Sequence, residues 1–183
     1  MQVITGKYRG RKLISLDTEK TRPTLARVKE SIFSMIDSYI DNSVVLDLFA
    51  GSGSLGIECV SRGAKKVYFV DANKDAKRIL EKNLNNVKED FEIVIEDYLV
   101  ALTMFAKKGI KFDMVLLDPP YASDFGVVAI NKLHELKLLN SGSLIIYEQE
   151  GKNLLQNFGD RYIIKKSKQY GIAGVVILEY VEE

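Results

Sequence analysis

Residues 44–71 read VVLDLFAGSGSLGIECVSRGAKKVYFVD, and this stretch decides the fold. A largely apolar run at 44–48 predicts one buried strand, and a second run at 67–70 predicts another. Between them stand G-x-G-x-x-G, from Gly51 to Gly56, and an apolar helical pattern. Asp71 ends the second run, 20 residues after Gly51. This order predicts a nucleotide-binding βαβ unit, because glycines permit a tight turn and the acid can accept ribose hydroxyl protons. A glycine turn that only packs a helix on a strand is the alternative.

Asp47 indicates which nucleotide derivative would suit the turn. It is a carboxylate at the tip of the first predicted strand, just before the glycines. The pyrophosphate of a dinucleotide would be repelled there, whereas the ammonium and sulfonium groups of S-adenosylmethionine would be attracted. Asp47 could instead cap the following helix, and the two roles are compatible.

Length and composition favour a soluble protein with one main domain. The chain has 183 residues, of which 46% are hydrophobic and 28% charged. No apolar run approaches the roughly 20 residues of a membrane span, and the start of the chain lacks a signal-peptide core. We therefore expect a cytoplasmic protein. One cysteine and one histidine form no recognisable zinc site, so no metal is predicted.

The N-terminal segment is unusually basic. Residues 1–30 carry eight Lys or Arg against three Asp or Glu, a net charge of +5, which leaves −4 for the remainder of this +1 chain. Two possible short strands at 2–5 and 12–16 predict a β-hairpin that presents cations beside Tyr8, an arrangement suited to phosphate and base contacts. A solvated hairpin without a partner is the alternative. The candidate RNA-binding residues are Lys7, Arg9, Arg11, Lys12, Arg22 and Arg27.

The remaining pattern alternates helices and strands. Further strands are predicted at 91–95, 111–117, 143–147, 161–166 and 172–181, and helices at about 24–36, 74–85, 98–107, 125–139 and 151–157. Because no helix fits between the last two strands, they should pair antiparallel. We expect an α/β fold with a mostly parallel seven-stranded sheet, an antiparallel last strand and the N-terminal β-hairpin.

The second motif is Asp118-Pro119-Pro120-Tyr121, directly after the fourth predicted strand. Ligands of open α/β sheets bind at the carboxyl ends of strands, so this motif, the glycine turn, Asp71 and Asp97 should share one rim. Consecutive prolines give a rigid backbone with free carbonyls. The motif could also be a simple turn that ends the strand. Asp97 could contact an adenine amino group, cap the next helix, or do both.

The chemistry of this motif fits methylation of an exocyclic base amine. Asp118 and the Pro119 carbonyl can accept the two N–H protons, which directs the nitrogen lone pair toward the methyl group. Tyr121 can stack on the base and hold it in line. The base must be unstacked to reach such a pocket.

The two motifs together resemble amino-methylating class I methyltransferases. The wider pattern of G-K-Y-R-G-R-K-L, T-R-P-T-L-A-R-V-K-E-S-I-F-S-M-I, the glycine turn and D-P-P-Y resembles the RsmD family of bacterial 16S rRNA guanine-N2 methyltransferases, over nearly the whole chain. The resemblance implies a Rossmann-like methyltransferase domain at 23–183 behind a basic arm at 1–22. It also implies S-adenosylmethionine as cofactor, S-adenosylhomocysteine as product, and a monomer acting on 16S rRNA in a small-subunit assembly particle. The implied catalytic residues are Asp118, Pro119, Pro120 and Tyr121, and the implied cofactor-binding residues are Asp47, Phe49, Ala50, Gly51, Gly53, Asp71, Ala72, Asp97, Tyr98 and Asp118.

Three other functions share some of these features. An adenine-N6 methyltransferase acting on DNA or RNA would also carry D-P-P-Y, although 183 residues leave little room for a DNA-recognition domain. A small dehydrogenase is disfavoured by Asp47 and D-P-P-Y. A catalytically silent RNA-binding protein with this fold is disfavoured by the acids retained at the strand ends.

Overall fold

The structure is a computed structural model that describes residues 1–16, 23–151, 154 and 156–182. Helices and strands alternate along most of this range. The helices are α1 (Pro23–Ile36), α2 (Ser54–Ser61), α3 (Lys74–Asn83), α4 (Tyr98–Lys107) and α5 (Phe125–Glu135), with a 3-10 turn at Asp37–Tyr39. The strands are β1 (Val44–Asp47), β2 (Lys66–Asp71), β3 (Asp90–Ile95), β4 (Phe112–Leu117), β5 (Leu139–Glu150), β6 (Tyr162–Tyr170) and β7 (Ala173–Tyr180).

All seven strands form one sheet in the order β3-β2-β1-β4-β5-β7-β6. Neighbours from β3 to β5 are parallel, and β7 is antiparallel to both β5 and β6. The predicted α/β class, the seven strands and the antiparallel last strand are confirmed. The chain moves outward in opposite directions from β1 and β4, so a crevice opens between their carboxyl ends, where open α/β sheets bind ligands.

The sheet separates two apolar cores, because alternate residues of each buried strand face opposite sides. Val45 of β1, Leu116 of β4 and Ile146 of β5 pack on the side that also holds α1 and α2. Leu46, Leu117 and Tyr147, each one residue later, pack on the side of α4 and α5. This alternation also decides which polar residues at the strand ends share a face.

The N-terminal arm is packed against the domain over much of its length. Val3 and Leu13 are buried in the core on the α1 side. The predicted hairpin strands meet at a single antiparallel bridge between Gln2 and Lys12. The main-chain N–H groups of Ile4 and Thr5 donate to the buried Glu58 carboxylate of α2. The arm is therefore held by main-chain bonds and apolar burial together.

A buried ion pair connects the arm to two helices. The Lys29 Nζ of α1 lies 3.0 Å from Glu58 Oε2 and also donates to the Gln2 carbonyl. Burial opposes ionisation of Glu58, yet Lys29 and the arm N–H groups prevail and hold its pKa below the usual value. Breaking such a pair by removing one partner is costly, because the remaining charge stays buried.

Two predicted elements differ from the structure near the C-terminal half. The helix expected at about 151–157 is wrong at the described residues 151, 154, 156 and 157, none of which is helical. The helix expected to reach residue 139 ends at Glu135, and β5 begins at Leu139. The β4–β5 register shifts between Phe112 and Met114, and Gly142 has a φ of +84°, so a bulge lets the early part of β5 join the sheet.

Candidate functional site

The glycine turn lies over the carboxyl ends of β1 and β2. Gly51 and Gly53 have φ values of 55° and 80°, a left-handed backbone that glycine adopts without steric cost. The Ala50 N–H donates to the Val70 carbonyl of β2 at 2.9 Å, and the Gly53 N–H donates to the Ala50 carbonyl at 2.7 Å. The chain therefore turns tightly into α2.

The third glycine is required by packing. A Cβ on Gly56 would lie 2.4 Å from the Phe69 ring and 2.9 Å from Asp47 Oδ2. The Gly56 N–H instead donates to that same Asp47 oxygen at 3.0 Å. The helix N-terminus thus holds Asp47 in place, which confirms that Asp47 contacts the following helix.

Asp47 is a buried acid with a raised pKa. Its side chain lies beneath the turn, with only 2% of its surface exposed. Burial raises the pKa of Asp47 to about 7, the Asp118 and Asp71 carboxylates add to the rise, and the Gly56 N–H opposes it. A cationic ligand would favour the ionised form, because an opposite charge nearby lowers the pKa of a carboxyl.

Asp71 at the end of β2 fixes the other side of the turn. Its Oδ2 accepts from the Gly51 N–H at 2.8 Å, and its Oδ1 accepts from the Asn73 N–H at 2.8 Å. Each carboxylate oxygen has a second lone pair, so the half-exposed group can still accept hydrogen bonds from a ligand. Ala72, next in the chain, is exposed.

A cavity of about 180 Å³, which we call the inner cavity, lies between the turn and the end of β4. It brings together five residues named from the sequence, which are Asp47, Phe49, Ala50, Gly51 and Asp118. The other lining residues are Met1, Val28, Lys29, Ser52, Ser54, Leu55 and Glu148. The two sequence motifs therefore contribute to one space at the carboxyl rim of the sheet.

Ser54 adds a polar group to the inner cavity. Its buried hydroxyl oxygen has no hydrogen-bond partner among the described residues. The hydroxyl is at the N-terminal end of α2, where N–H groups without helical partners favour anionic ligand groups. A buried hydroxyl without a partner is costly, so a polar ligand group would fit here.

The Asp-Pro-Pro-Tyr motif separates the inner cavity from a second one. This outer cavity has a volume of about 410 Å³ and is lined by Pro119, Pro120, Tyr121, Ala122, Ser123, Asp124, Val127, Tyr147, Glu148, Gln149 and Glu150. Pro119 is buried, whereas Asp118, Pro120 and Tyr121 are exposed. Partial burial, together with Glu148, Asp118 and Glu150, raises the pKa of Tyr121 to about 12, so it stays a neutral phenol.

Glu148 is a site residue that the sequence did not predict. It lines both cavities, and only 7% of its surface is exposed. Burial, with the Asp118 carboxylate adding to it, raises the pKa of Glu148 to about 8. The available signal was its position at the carboxyl end of a predicted buried strand, beside the strand that ends in Asp118.

Asp97 and Tyr98 belong to a neighbouring part of the rim. Asp97 Oδ1 accepts from the Leu99 N–H at 2.9 Å, so the residue caps α4 as one interpretation predicted. The Tyr98 ring lies 5.3 Å from that of Phe49 and 5.2 Å from that of Phe125, measured between centroids. Five residues named from the sequence do not line the inner cavity itself, and they are Gly53, Asp71, Ala72, Asp97 and Tyr98. Phe125 was not anticipated from the sequence.

The basic residues of the arm are divided between two locations. Lys7 and Tyr8 both bond to Glu89, just before the amino end of β3 and away from the two cavities. Arg11 donates to the Asn83 carbonyl at 3.2 Å and lies over the Tyr8 ring. Arg22 lies outside the described residues.

Arg9 and Lys12, in contrast, line a groove between the arm and α1. This arm groove has a volume of about 650 Å³ and is lined by Met1, Gln2, Ile4, Arg9, Gly10, Lys12, Leu13, Ala26, Lys29 and Glu30. Met1 and Lys29 also line the inner cavity, so the two spaces adjoin. Arg27 is exposed on α1 nearby.

Comparison with known proteins identifies the family. The family model described as Conserved hypothetical protein 95 matches residues 1–179. The Ribosomal RNA small subunit methyltransferase D of Haemophilus influenzae is 39% identical over 175 residues, which cover 94% of this chain and 90% of the relative. The chain belongs to the RsmD family.

Solved structures agree with this RsmD assignment. The structure of yhhF from Escherichia coli has a TM-score of 0.88 at 28% identity and covers 100% of this chain and 99% of its own. A Haemophilus influenzae structure has a TM-score of 0.81 at 36% identity, covering 99% of this chain and 98% of its own. A more distant structure complexed with SAH shares the fold, with a TM-score of 0.66 at 15% identity.

Two kinds of feature are absent from the described residues of this RsmD-family chain. No helix in that part of the chain has the length and apolar character needed to cross a membrane. The same residues contain no group of three or more His, Cys, Asp or Glu side chains placed to hold a metal ion.

Proposed function

We propose that this chain transfers a methyl group from S-adenosylmethionine to the exocyclic N2 amine of a guanine in 16S rRNA. The observation that carries the proposal is the inner cavity, which is lined by the glycine turn, the buried Asp47 and Asp118 of the second motif. Family membership and the name of the Haemophilus influenzae relative support small-subunit rRNA as the substrate.

The residues around the inner cavity fit the cofactor. Asp47 would attract its cationic groups, and the Ser54 hydroxyl and α2 N-terminus would meet its carboxylate. Asp71 would accept the ribose hydroxyl protons while it holds Gly51. Phe49, Ala50, Gly53, Ala72, Asp97 and Tyr98 would border the adenine and ribose portion. When bound, S-adenosylmethionine supplies a methyl group on an electron-poor sulfur.

Asp118 and Pro119 would hold the amine that is methylated. The Asp118 carboxylate and the Pro119 carbonyl would accept hydrogen bonds from its two N–H groups, so the nitrogen lone pair would be directed at the methyl carbon. Tyr121, exposed at the edge of the outer cavity, stacks on the base. Transfer would form a C–N bond to the N2 nitrogen as the C–S bond of the donor breaks, and Asp118 would take the proton that the amine loses.

Arg9, Lys12 and Arg27 would bind RNA phosphates along the arm groove, and Lys7, Arg11 and Arg22 are further proposed RNA-binding residues. The groove adjoins the inner cavity through Met1 and Lys29. A strand held there would thus pass beside the inner cavity. A flipped base requires the single-stranded or opened RNA that a small-subunit assembly particle offers.

The test is mass spectrometry of 16S rRNA nucleosides from cells that lack the protein. We expect N2-methylguanosine to be absent at one position, to return with the wild-type chain, and to stay absent with Asp118→Ala. Loss of N6-methyladenosine instead would favour the adenine alternative. An unchanged nucleoside profile would favour a catalytically silent RNA-binding protein.

The cofactor is tested separately by calorimetric titration of the purified chain with S-adenosylmethionine. Asp71→Ala should weaken binding by roughly a hundredfold, because it removes both the ribose acceptor and the brace on Gly51. Asp75→Ala, an exposed acid on the adjoining α3, is the matched control and should bind normally. If the wild-type chain shows no binding heat, the proposed donor is wrong.

A further inference from the structure

Glu148 is placed beside Asp118 by the register of the sheet. Leu117 of β4 is paired with Tyr147 of β5, so the next residues along, Asp118 and Glu148, emerge from neighbouring strands. Parallel strands lie about 4.8 Å apart. The electrostatic influence of Asp118 on Glu148 agrees with this short separation.

The two carboxylates also share one face of the sheet. Leu116 and Ile146, each two residues earlier, pack in the core on the α1 side, and side chains two apart in a strand face the same way. Glu148 lines both the inner and the outer cavity, and Asp118 lines the inner one. Glu148 therefore borders the place where cofactor and base would meet.

The hydrogen-bond donors and acceptors beside the exocyclic amine differ between bases, and Glu148 is placed where it could distinguish them. An amine acceptor such as Asp118 serves any base that carries an exocyclic amine. What differs is the neighbouring ring nitrogen, which is an N–H donor in guanine and a lone-pair acceptor in adenine and cytosine. A carboxylate beside Asp118 would accept the guanine N1–H and repel the adenine or cytosine lone pair.

We propose that Glu148 selects guanine, by accepting the N1–H of the base whose N2 amine is held by Asp118. This inference rests on the proposed function and adds the residue that separates guanine from adenine. In the free protein, burial and Asp118 keep the pKa of Glu148 near 8. Guanine presents N–H donors to both carboxylates, so its binding favours the ionised form.

The experiment compares wild type and Glu148→Gln on two substrates. Small-subunit particles from cells lacking the protein carry either guanine or adenine at the methylated position, and mass spectrometry measures N2-methylguanosine and N6-methyladenosine. We expect Glu148→Gln to lower the guanine-over-adenine ratio of kcat/KM by roughly tenfold to a hundredfold, because the glutamine amide can donate to adenine N1. Glu135→Gln, an exposed acid on α5, is the control and should keep the wild-type ratio.

The pH profile supplies a second readout that a merely structural role would not change. For wild type, kcat/KM on guanine should rise as pH passes through 8, because ionised Glu148 is the productive form. Glu148→Gln should lose this rise near pH 8 and keep any rise that Asp47 contributes near pH 7. The other titratable side chains that line the two cavities all remain in the variant, and they are Lys29, Asp47, Asp118, Tyr121, Asp124, Tyr147 and Glu150.

The possible results distinguish guanine selection by Glu148 from the proposed methyltransferase function. If wild type fails to methylate guanine N2, the proposed function is wrong. If wild type does so and Glu148→Gln keeps both the guanine preference and the pH profile, Glu148 does not select the base. Circular dichroism and S-adenosylmethionine titration of the variant establish that it folds and binds cofactor.

Discussion

At the scale of single residues, the acids at the carboxyl rim of the sheet differ in their burial and in their hydrogen bonds. Asp47 is buried beneath the glycine turn, Asp71 is half exposed and braced by main-chain N–H groups, and Asp118 is exposed. The same side chain type therefore has three different environments within one site. Burial disfavours the charged form of a carboxyl, and it raises the pKa of Asp47 to about 7.

The raised pKa of Asp47 predicts a pH-dependent stability cost. The folded protein keeps this proton up to about pH 7, whereas the unfolded chain releases it near 3.8, so this carboxyl destabilises the fold progressively as pH rises through that window. Asp47→Asn should therefore raise the free energy of unfolding at pH 8 by on the order of a few kcal/mol, with little gain at pH 4.

Urea unfolding at the two pH values measures this difference. Asp75→Asn, an exposed acid of α3, is the control and should change stability little at either pH. An equal stability change for Asp47→Asn at both pH values would mean that its charge state does not depend on burial.

At the scale of elements, the start of α2 is the most constrained part of the site. Gly56 has no room for a Cβ, because the Phe69 ring of β2 and the Asp47 carboxylate occupy that space. The helix must approach the sheet closely for the Gly56 N–H to reach Asp47. Close packing of α2 on β1 and β2 therefore positions the Asp47 carboxyl.

Gly56→Ala tests this close approach. The added methyl should destabilise the protein by about 1–3 kcal/mol, since overpacking a dense core forces neighbouring groups to move. In a Phe69→Leu background the same change should cost clearly less, because the obstructing ring is gone. Urea unfolding of the four chains gives the coupling, and an equal cost in both backgrounds would refute the steric explanation.

At the scale of the whole molecule, the described part of the arm packs against the domain and forms a continuous surface with it. The Lys29–Glu58 ion pair and the buried Val3 and Leu13 hold the arm against α1 and α2. Met1 consequently lines the inner cavity, although it begins the chain. The arm thus places Arg9 and Lys12 beside the site, and leaves Lys7 and Tyr8 at the opposite rim.

This placement predicts which arm residues matter most for RNA. Replacing Arg9 and Lys12 by Gln should weaken rRNA binding, and should reduce the slope of log affinity against log salt by about 0.7–0.9 for each phosphate that the variant no longer neutralises. Filter binding across a salt series measures the slope. Lys107→Gln with Lys111→Gln, a matched pair of cations near the amino end of β4, should leave it unchanged.

An unchanged slope for the Arg9 and Lys12 variant would show that the arm groove does not bind RNA. A larger effect from Lys7→Gln than from Arg9→Gln would place the RNA on the opposite rim instead. Arg27→Gln should resemble Arg9→Gln, because Arg27 is exposed on the helix that borders the groove.

Local pattern was enough to predict the strands of the sheet and most of the helices, although the helix expected at 151–157 was wrong at its described residues. Strand periodicity, the glycines and D-P-P-Y predicted a seven-stranded α/β sheet with Asp47, Gly51 and Asp118 near one rim, because strand ends and turns depend on nearby residues. Other features depend on interactions between distant segments. The β4–β5 register places Glu148 beside Asp118. Lys7 bonds to Glu89, which lies 82 residues later in the chain, and this contact holds Lys7 away from the two cavities.

The sequence by itself therefore determined the βαβ unit, the antiparallel end of the sheet and the acids at its carboxyl rim. Only the tertiary structure decided that Asp47 is buried, that the first residue of the chain borders the inner cavity, and that a second carboxylate stands beside Asp118. The physical reason is that propensity and periodicity act over a few residues. Burial, charge coupling and strand register arise from segments far apart in the chain, and these set the chemistry of the site.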